Sequence, residues 1–422
     1  AQAVTGTPGH VNAMAESVSH FIREIGLQNM YEEDVYVTND PWMGTGHLHD
    51  ITMVSPVFRA ATLIGFFACT AHVVDIGGRG FGPDAGEVYE EGLLIPIMKF
   101  VDRGEVSQVM IQFVRANTRV PDQVVGDLHS LAACNVAGER RLQTMLDEFK
   151  INDIDHLSDF IIETSRKVTC AAINKVPNGS YCYSMMVDGF EAPVMMKVRL
   201  DIDGERLVAD FAGTSGMSKF GVNCPEVYTR AYACYALKCA IAAGLPNNTG
   251  SLEPFQITAP EGSILAARRP APVSTRHVIG HFVPDVVLGA LHSALPDVVP
   301  AEGASALWSI QIAARPSDPD SGLPNKEVLM FNSGGTGARP YVDGLSATAF
   351  PSGVSTMSVE ATEHVGPIIV WRKELLTGSG GAGKFRGGLG QIIEIEPRAG
   401  YNLYLNAMFD RVYNAARGRE GG

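Results

Sequence analysis

Three short runs constrain this chain more than any other stretch: Asp34–Thr38, Ile51–Phe58 and Leu63–Ala71, each rich in β-branched and aromatic residues. Such runs read as strands. His47 and Asp50 fall just before the second run, and His72 falls just after the third. If those two strands are antiparallel neighbours, the start of one lies beside the end of the other. All three side chains then project at one sheet edge. Two imidazoles and a carboxylate supply three protein ligands and leave positions open for water or substrate, the pattern of a catalytic metal site. His47, Asp50 and His72 are therefore the candidate metal triad. Against this, no pair has the tight spacing of a zinc-finger or zincin motif, and an Asp before an apolar run is commonly a cap. His49 alternates with Asp50 and faces the other side if the strand has begun there. Asp40 and Asp75 are candidates to hold an imidazole by its other nitrogen.

The rest of the chain alternates helical and strand textures. Thr7–Ile25 repeats Val11, Met14, Ala15, Val18, Phe21 and Ile22 at helical spacing, with Pro8 in the first turn. His10 on this helix lies close in sequence to the triad. The glycine-rich stretch 77–86 reads either as a turn needing positive φ or as a flexible, anion-binding lip over the site. It lacks the Gly-Lys-Ser/Thr ending of a phosphate-binding loop, which throws nucleotide chemistry onto a partner. Pro121–Lys150 carries the longest helical pattern, and its Gly126 and Gly138 imply close packing or a break. Asp127 and His129 on it fit a solvated face or a lining of the site. A second helix spans Ile154–Ile173. Beyond Val176, Gly179–Phe190, Pro193–Asp203 and Arg206–Phe211 alternate at period two, as in an antiparallel meander.

These textures predict an α+β (mixed α/β) molecule of several subdomains, with mixed and antiparallel sheets flanked by helices. A soft boundary near Pro177 divides a metal-site domain (1–176) from a β-rich domain with helices (177–422). In the second part, Glu226–Gly244 reads as an apolar helix stopped by Gly244. His277 and His281 precede a helix opened by Pro284 and Asp285, and read either as a helix-entry loop or as substrate contacts. Asn332–Gly337 offers either backbone amides to an anion or a tight turn, and Ser379–Gly390 reads as a structural hairpin.

Composition narrows the class. With 45% hydrophobic and 19% charged residues over 422, the chain is globular, enough for two or three packed subdomains. A net charge of −13 disfavours nucleic acid and anionic membranes. No apolar run reaches the length of a membrane span. Seven cysteines without a CxxC pair read as reduced, core thiols of a cytoplasmic protein.

Asn39-Asp40-Pro41, His47-Leu48-x-Asp50 and Ala71-His72-x-x-Asp75-Ile76-Gly77-Gly78 resemble the signature of the hydantoinase B/oxoprolinase family. Further matches are Pro121-Asp122-Gln123 with Gly126-Asp127-Leu128, Phe211-Ala212-Gly213-Thr214-Ser215, Asn332-Ser333-Gly334-Gly335 and Phe385-Arg386-Gly387-Gly388. The resemblance spans nearly the whole chain. It implies a divalent ion (Mn, Zn or Fe) on His47, Asp50 and His72. It also implies a hetero-oligomer with a hydantoinase A-like, actin-fold ATPase that uses ATP and Mg to phosphorylate the substrate. His49 or His281 would act as acid or base, and Asp40 or Asp75 would orient ligands. The implied reaction is hydrolysis of a hydantoin-like or lactam-like cyclic amide, with ATP-dependent ketone carboxylation or a non-catalytic scaffold as alternatives. Two departures stand out: His49 occupies the place of a usual proline, and Val73 that of a frequent second histidine. The chain is also shorter than the family pattern at both ends, which implies a truncated piece or segments supplied by another chain.

Overall fold

A computed structural model describes residues 5–419. Helix α1 (Pro8–Ile25) starts with proline at its first position and ends at Gly26, whose φ of 79° closes the last turn. Strands β1 (Val35–Thr38), β2 (Asp50–Arg59), β3 (Thr62–His72), β4 (Met98–Asp102) and β5 (Glu105–Val106) form one antiparallel sheet in the order β3-β2-β1-β4-β5. Ala60 and Ala61, both at positive φ, make the tight turn between β2 and β3.

Helices cover both faces of this sheet. Helix α2 (Gln108–Asn117) is capped by Ser107, whose hydroxyl accepts the Met110 N–H. Helix α3 (Pro121–Phe149) follows, then α4 (Asp155–Ile173). Val124, Leu128 and Leu131 of α3 pack on Val37, Ile51 and Met53 of one sheet face. Phe21 of α1 packs on Tyr36 and Val54 of the other. With both faces covered, β2 is buried from Asp50 to Val57 rather than alternating. Helix α3 runs unbroken through both glycines: Gly138 lets the helix approach Phe67 of β3, whereas Gly126 faces open space.

The meander follows as β6 (Gly179–Val187), β7 (Val194–Asp203) and β8 (Arg206–Asp210). Helices α5 (Glu226–Ile241) and α6 (Thr249–Leu252) then carry the chain to β9 (Phe255–Thr258), which pairs parallel with β8, as a crossover requires. Helix α5 ends at Ile241 with Ala242 as its cap, so Gly244 lies beyond the stop rather than forming it. Inward residues of β7, Val194, Met196, Val198, Leu200 and Ile202, meet α5 and the later helix α8 (Val283–Leu291) in the largest core. Helices α7 (His277–Gly280) and α8 (Val283–Leu291) precede β10 (Trp308–Pro316) and β11 (Lys326–Asn332). After α9 (Val359–Val365) come β12 (Ile368–Leu375), β13 (Gln391–Pro397) and β14 (Tyr401–Met408). Their sheets are β11-β10-β14 and the pair β12-β13. The molecule is thus α+β with mixed and antiparallel sheets.

One detail departs from the sequence reading. Cys134, Cys182 and Cys239 are exposed, because each falls on the outward side of an amphipathic element; Cys224 and Cys234 are core. The glycines at 334–337 serve close backbone packing: a Cβ on Gly335 would meet the Gly388 carbonyl at 1.9 Å. Val11 of α1 and Phe81 of the glycine-rich loop both belong to the largest core, most of which comes from beyond residue 173. No helix among the described residues is long and apolar enough to cross a membrane.

Candidate metal centre

Asp50 opens β2 and His72 closes β3, and the two face each other in the antiparallel register. Opposed residues of such a pair share a face. His47 reaches the same point from the turn before β2, where the Asp50 N–H meets the His47 carbonyl at 3.3 Å. His47 Nε2 lies 2.9 Å from Asp50 Oδ1, and His72 Nδ1 lies 3.3 Å from each of them. Each of the three residues offers one donor atom, and these atoms lie within 4.8 Å of one another.

The other oxygen of Asp50 is surrounded by donors. Oδ2 accepts from Thr45 Oγ1 at 2.7 Å and Arg276 Nη2 at 2.6 Å, and His10 Nε2 stands 2.9 Å away. Arg276 is itself fixed, donating from Nε to the Thr45 carbonyl at 2.9 Å and lying over the Tyr228 ring. Burial alone would raise the Asp50 pKa, but the charges around it, Arg276 among them, hold it well below the usual carboxylate range. Asp50 is therefore an anion.

His47 must be neutral and of one tautomer. Burial, reinforced by the Arg276 charge, pushes its pKa down to about 3. Its Nδ1 sits 2.8 Å from the Ser274 carbonyl, which only accepts, so the ring proton is on Nδ1. The Nε2 lone pair consequently points at an ionised carboxylate oxygen 2.9 Å away with no proton between them. Two acceptors hold that separation favourably only around a cation. Bonds of roughly 2.1 Å put adjacent donors roughly 3.0 Å apart in an octahedron and roughly 3.4 Å apart in a tetrahedron. The observed 2.9, 3.3 and 3.3 Å fit one face of such a shell, so the residues suit a divalent ion with positions left open.

Phe81, from the glycine-rich loop, forms the wall of this cluster. Its ring centroid lies 5.8, 5.0 and 5.1 Å from those of His47, His49 and His72, and it stacks on His277 at 5.5 Å. The loop's contribution is thus an aromatic side chain. His49 lies under this ring, stacked on His72 at 5.2 Å and fully buried. Neither nitrogen of His49, nor Nε2 of His72, has a hydrogen-bond partner among the described residues. His49 stays outside the triad's 4.8 Å group, so it stands beside the candidate ligands and not among them.

The other sequence candidates lie elsewhere. Asp40 is ion-paired with Arg269 and accepts the Trp42 N–H at 3.0 Å. Asp75 is held by Arg119 Nη1 at 2.7 Å and by the Gly77 N–H at 3.1 Å. Both carboxylates are thus engaged by arginines; of the ring nitrogens away from the cluster, His47 Nδ1 meets the Ser274 carbonyl and His72 Nε2 has no partner among the described residues. His281 sits behind His277, with Tyr228 Oη 3.4 Å from its Nε2, so His277 is the member of that pair that reaches Phe81. Sequence reasoning missed Thr45, Phe81, Ser274 and Arg276. The only available signal was the position of Arg276 beside a histidine pair.

The hydantoinase B/oxoprolinase family model matches residues 1–422. Caprolactamase subunit beta of Pseudomonas jessenii is 28% identical over 402 residues, covering 87% of this chain and 64% of that one. The crystal structure of the ATP-dependent caprolactamase from the same organism superposes with a TM-score of 0.84 at 26% identity, over 93% of this chain and 69% of its own. 5-Oxoprolinase 1 of Arabidopsis thaliana is 27% identical over 445 residues, 98% of this chain but 34% of that protein. A nucleotide-free acetone carboxylase shares the fold, with a TM-score of 0.84 at 18% identity over 94% of this chain and 56% of its own. On a match that runs from end to end, the chain belongs to the hydantoinase B/oxoprolinase family.

Proposed function

We propose that this chain is the metal-bearing subunit of an ATP-dependent hydrolase of cyclic amides. Its substrate would be activated by phosphorylation on a hydantoinase A-like partner in a cytoplasmic hetero-oligomer. The observation that carries the reading is His47 Nε2 and Asp50 Oδ1 facing each other at 2.9 Å, both buried, with His72 Nδ1 3.3 Å from each.

His47, Asp50 and His72 would hold a Mn, Zn or Fe ion, which supplies a water of lowered pKa oriented on the activated ring carbon. The chain's own residues do the rest. The Ser274 carbonyl keeps the His47 Nε2 lone pair directed into the centre. Arg276, Thr45 and His10 hold Asp50 ionised and in one orientation. His49, neutral because burial and then His72 and His47 lower its pKa, has an unpaired nitrogen with which to take a proton beside the ligands. Phe81 keeps bulk water off the cluster. Once phosphorylation of the amide oxygen has removed its resonance, one water would add to the ring carbon, the C–N bond would break with its proton going to nitrogen, and a second water would release inorganic phosphate from the acyl phosphate left behind.

Ketone carboxylation is the second reading. The acetone carboxylase likeness favours it through fold, but at 18% identity against 26% for the caprolactamase structure.

The test uses the chain coexpressed with its ATPase partner. Elemental analysis should find about one equivalent of metal, lost in His47→Ala, as three protein ligands predict. ATP-driven opening of a cyclic amide should fall together with metal content. Turnover only of a ketone with bicarbonate would replace the hydrolase reading by the carboxylase one. Full activity in His47→Ala and His72→Ala would leave a scaffold.

A further inference from the structure

Glu91 is completely buried, and its Oε1 accepts two consecutive main-chain N–H groups, Val273 at 2.6 Å and Ser274 at 2.7 Å. What it anchors is the segment 273–276. The Ser274 carbonyl accepts the His47 Nδ1–H at 2.8 Å, and the Arg276 side chain grips Asp50 at 2.6 Å and the Thr45 carbonyl at 2.9 Å. One short segment therefore carries the outer contacts of two candidate ligands, and one carboxyl oxygen converges on its start. The segment is further held where Thr275 donates to the Gly221 carbonyl, from N at 2.7 Å and from Oγ1 at 2.9 Å. Those bonds hold the Ser274–Thr275 peptide, the Arg276 N–H holds the Val273 carbonyl at 3.0 Å, and the two Glu91 bonds hold the Val273 and Ser274 N–H groups at the start of the segment.

We propose that Glu91 is a positioning residue for the metal centre, setting the tautomer of His47 through the Val273 and Ser274 amides. The inference rests on the metal reading above. If the Ser274 peptide turns, its carbonyl leaves Nδ1, and nothing then biases the imidazole proton to that nitrogen. Each molecule with the proton on Nε2 has lost the lone pair that faces Asp50. Burial pushes the Glu91 carboxyl up to about 8 against the pull of the two amides and Arg276, so near neutrality it acts as an uncharged acceptor. Glutamine supplies the same acceptor at the same reach, and alanine does not.

The experiment titrates Mn(II) alone into wild type, Glu91→Gln, Glu91→Ala and His47→Ala, following the free-ion signal by electron paramagnetic resonance. A parallel metal-free sample, labelled with 15N-histidine, follows the His47 Nδ1–H resonance, assigned by its loss in His47→Ala. Glu91→Ala should bind Mn(II) roughly tenfold to a hundredfold more weakly, the usual effect of losing an outer contact of a ligand. It should also lose or shift the Nδ1–H resonance, while Glu91→Gln keeps both near wild type. Glu91→Ala with wild-type affinity and an unmoved resonance overturns the inference. So does a Glu91→Gln variant as impaired as Glu91→Ala, which would show a requirement for the acid and not for the acceptor. A wild type that binds no Mn(II), or a His47→Ala variant that binds it as well, removes the metal reading instead. The resonance then still decides whether Glu91 sets the tautomer.

Discussion

Asp50 and Glu91 are both buried carboxyl groups, and the donors around them send them in opposite directions. Asp50 is met by Arg276, His10 and Thr45 and keeps its charge. Glu91 is met by two neutral amides on one oxygen, while its Oε2 has no partner among the described residues, and it is held as the acid up to about pH 8. The second case has a consequence for stability. In the unfolded chain Glu91 ionises near its ordinary 4.5, so between there and about 8 the native state binds the extra proton. Stability from this group is whole below that window and falls as pH rises through it. At 1.36 kcal/mol per unit, the loss is on the order of 5 kcal/mol. Urea midpoints of wild type and Glu91→Gln should therefore diverge from pH 5 to pH 8.5, the variant losing less; parallel curves would contradict the assignment. At this scale the site was legible only where local pattern reaches. His47, Asp50 and His72 stand at the ends of strand-like runs, so their convergence could be read from the chain. Asp40 and Asp75 look equivalent to them in sequence, and what distinguishes them is Arg269 and Arg119, brought from 229 and 44 residues away. Thr45 and Ser274 are ordinary residues whose role comes wholly from that long-range assembly.

Elements were more legible than residues, because helical and strand periodicities are local. The ends of α1, α3, α4 and β2 fall within a residue or so of the boundaries that caps and prolines suggest. The two glycines of α3 show where periodicity stops being informative. Both signal a break or a close approach, and only packing separates them. A Cβ on Gly138 would meet the Phe67 ring at 2.7 Å, whereas one on Gly126 would meet nothing within 4 Å. Gly126→Ala should thus stabilise the protein by about 0.5–1 kcal/mol, the helix-propensity difference. Gly138→Ala should cost stability, because Phe67 has to move. Chemical denaturation of the two variants checks this, and a gain in Gly138→Ala would show that α3 does not sit as close to β3 as described. The exposed thiols fail for the same reason: a cysteine in apolar sequence context can still lie on the outward side of its helix or strand.

For the molecule as a whole, the last described stretch is bound into the interior by charge. Arg411 reaches Asp285 at 3.0 Å and Glu302 at 3.2 Å, all three side chains being at most 7% exposed. Asp188 accepts the main-chain N–H groups of Val412, Tyr413 and Asn414 at 2.6, 3.0 and 2.7 Å. Removing the cation leaves buried Asp285 with only the Ser305 hydroxyl, while Glu302 keeps Arg417, so Arg411→Met should cost on the order of 3–5 kcal/mol, read as a lower Tm by calorimetry. Adding Asp285→Asn should return part of that loss, since the two substitutions share one network. The Asp50 carboxylate is gathered in the same way from distant parts of the chain. Its partners are residues 10, 45 and 276, and it faces residue 72 across the sheet. No half of the polypeptide contains that set. On the proposed metal reading, ion binding at this point and global folding would therefore be one coupled equilibrium. By mass action, an ion at a thousand times its dissociation constant adds about 4 kcal/mol to the native state. The free metal concentration would then belong among the variables that set how much of the protein is folded.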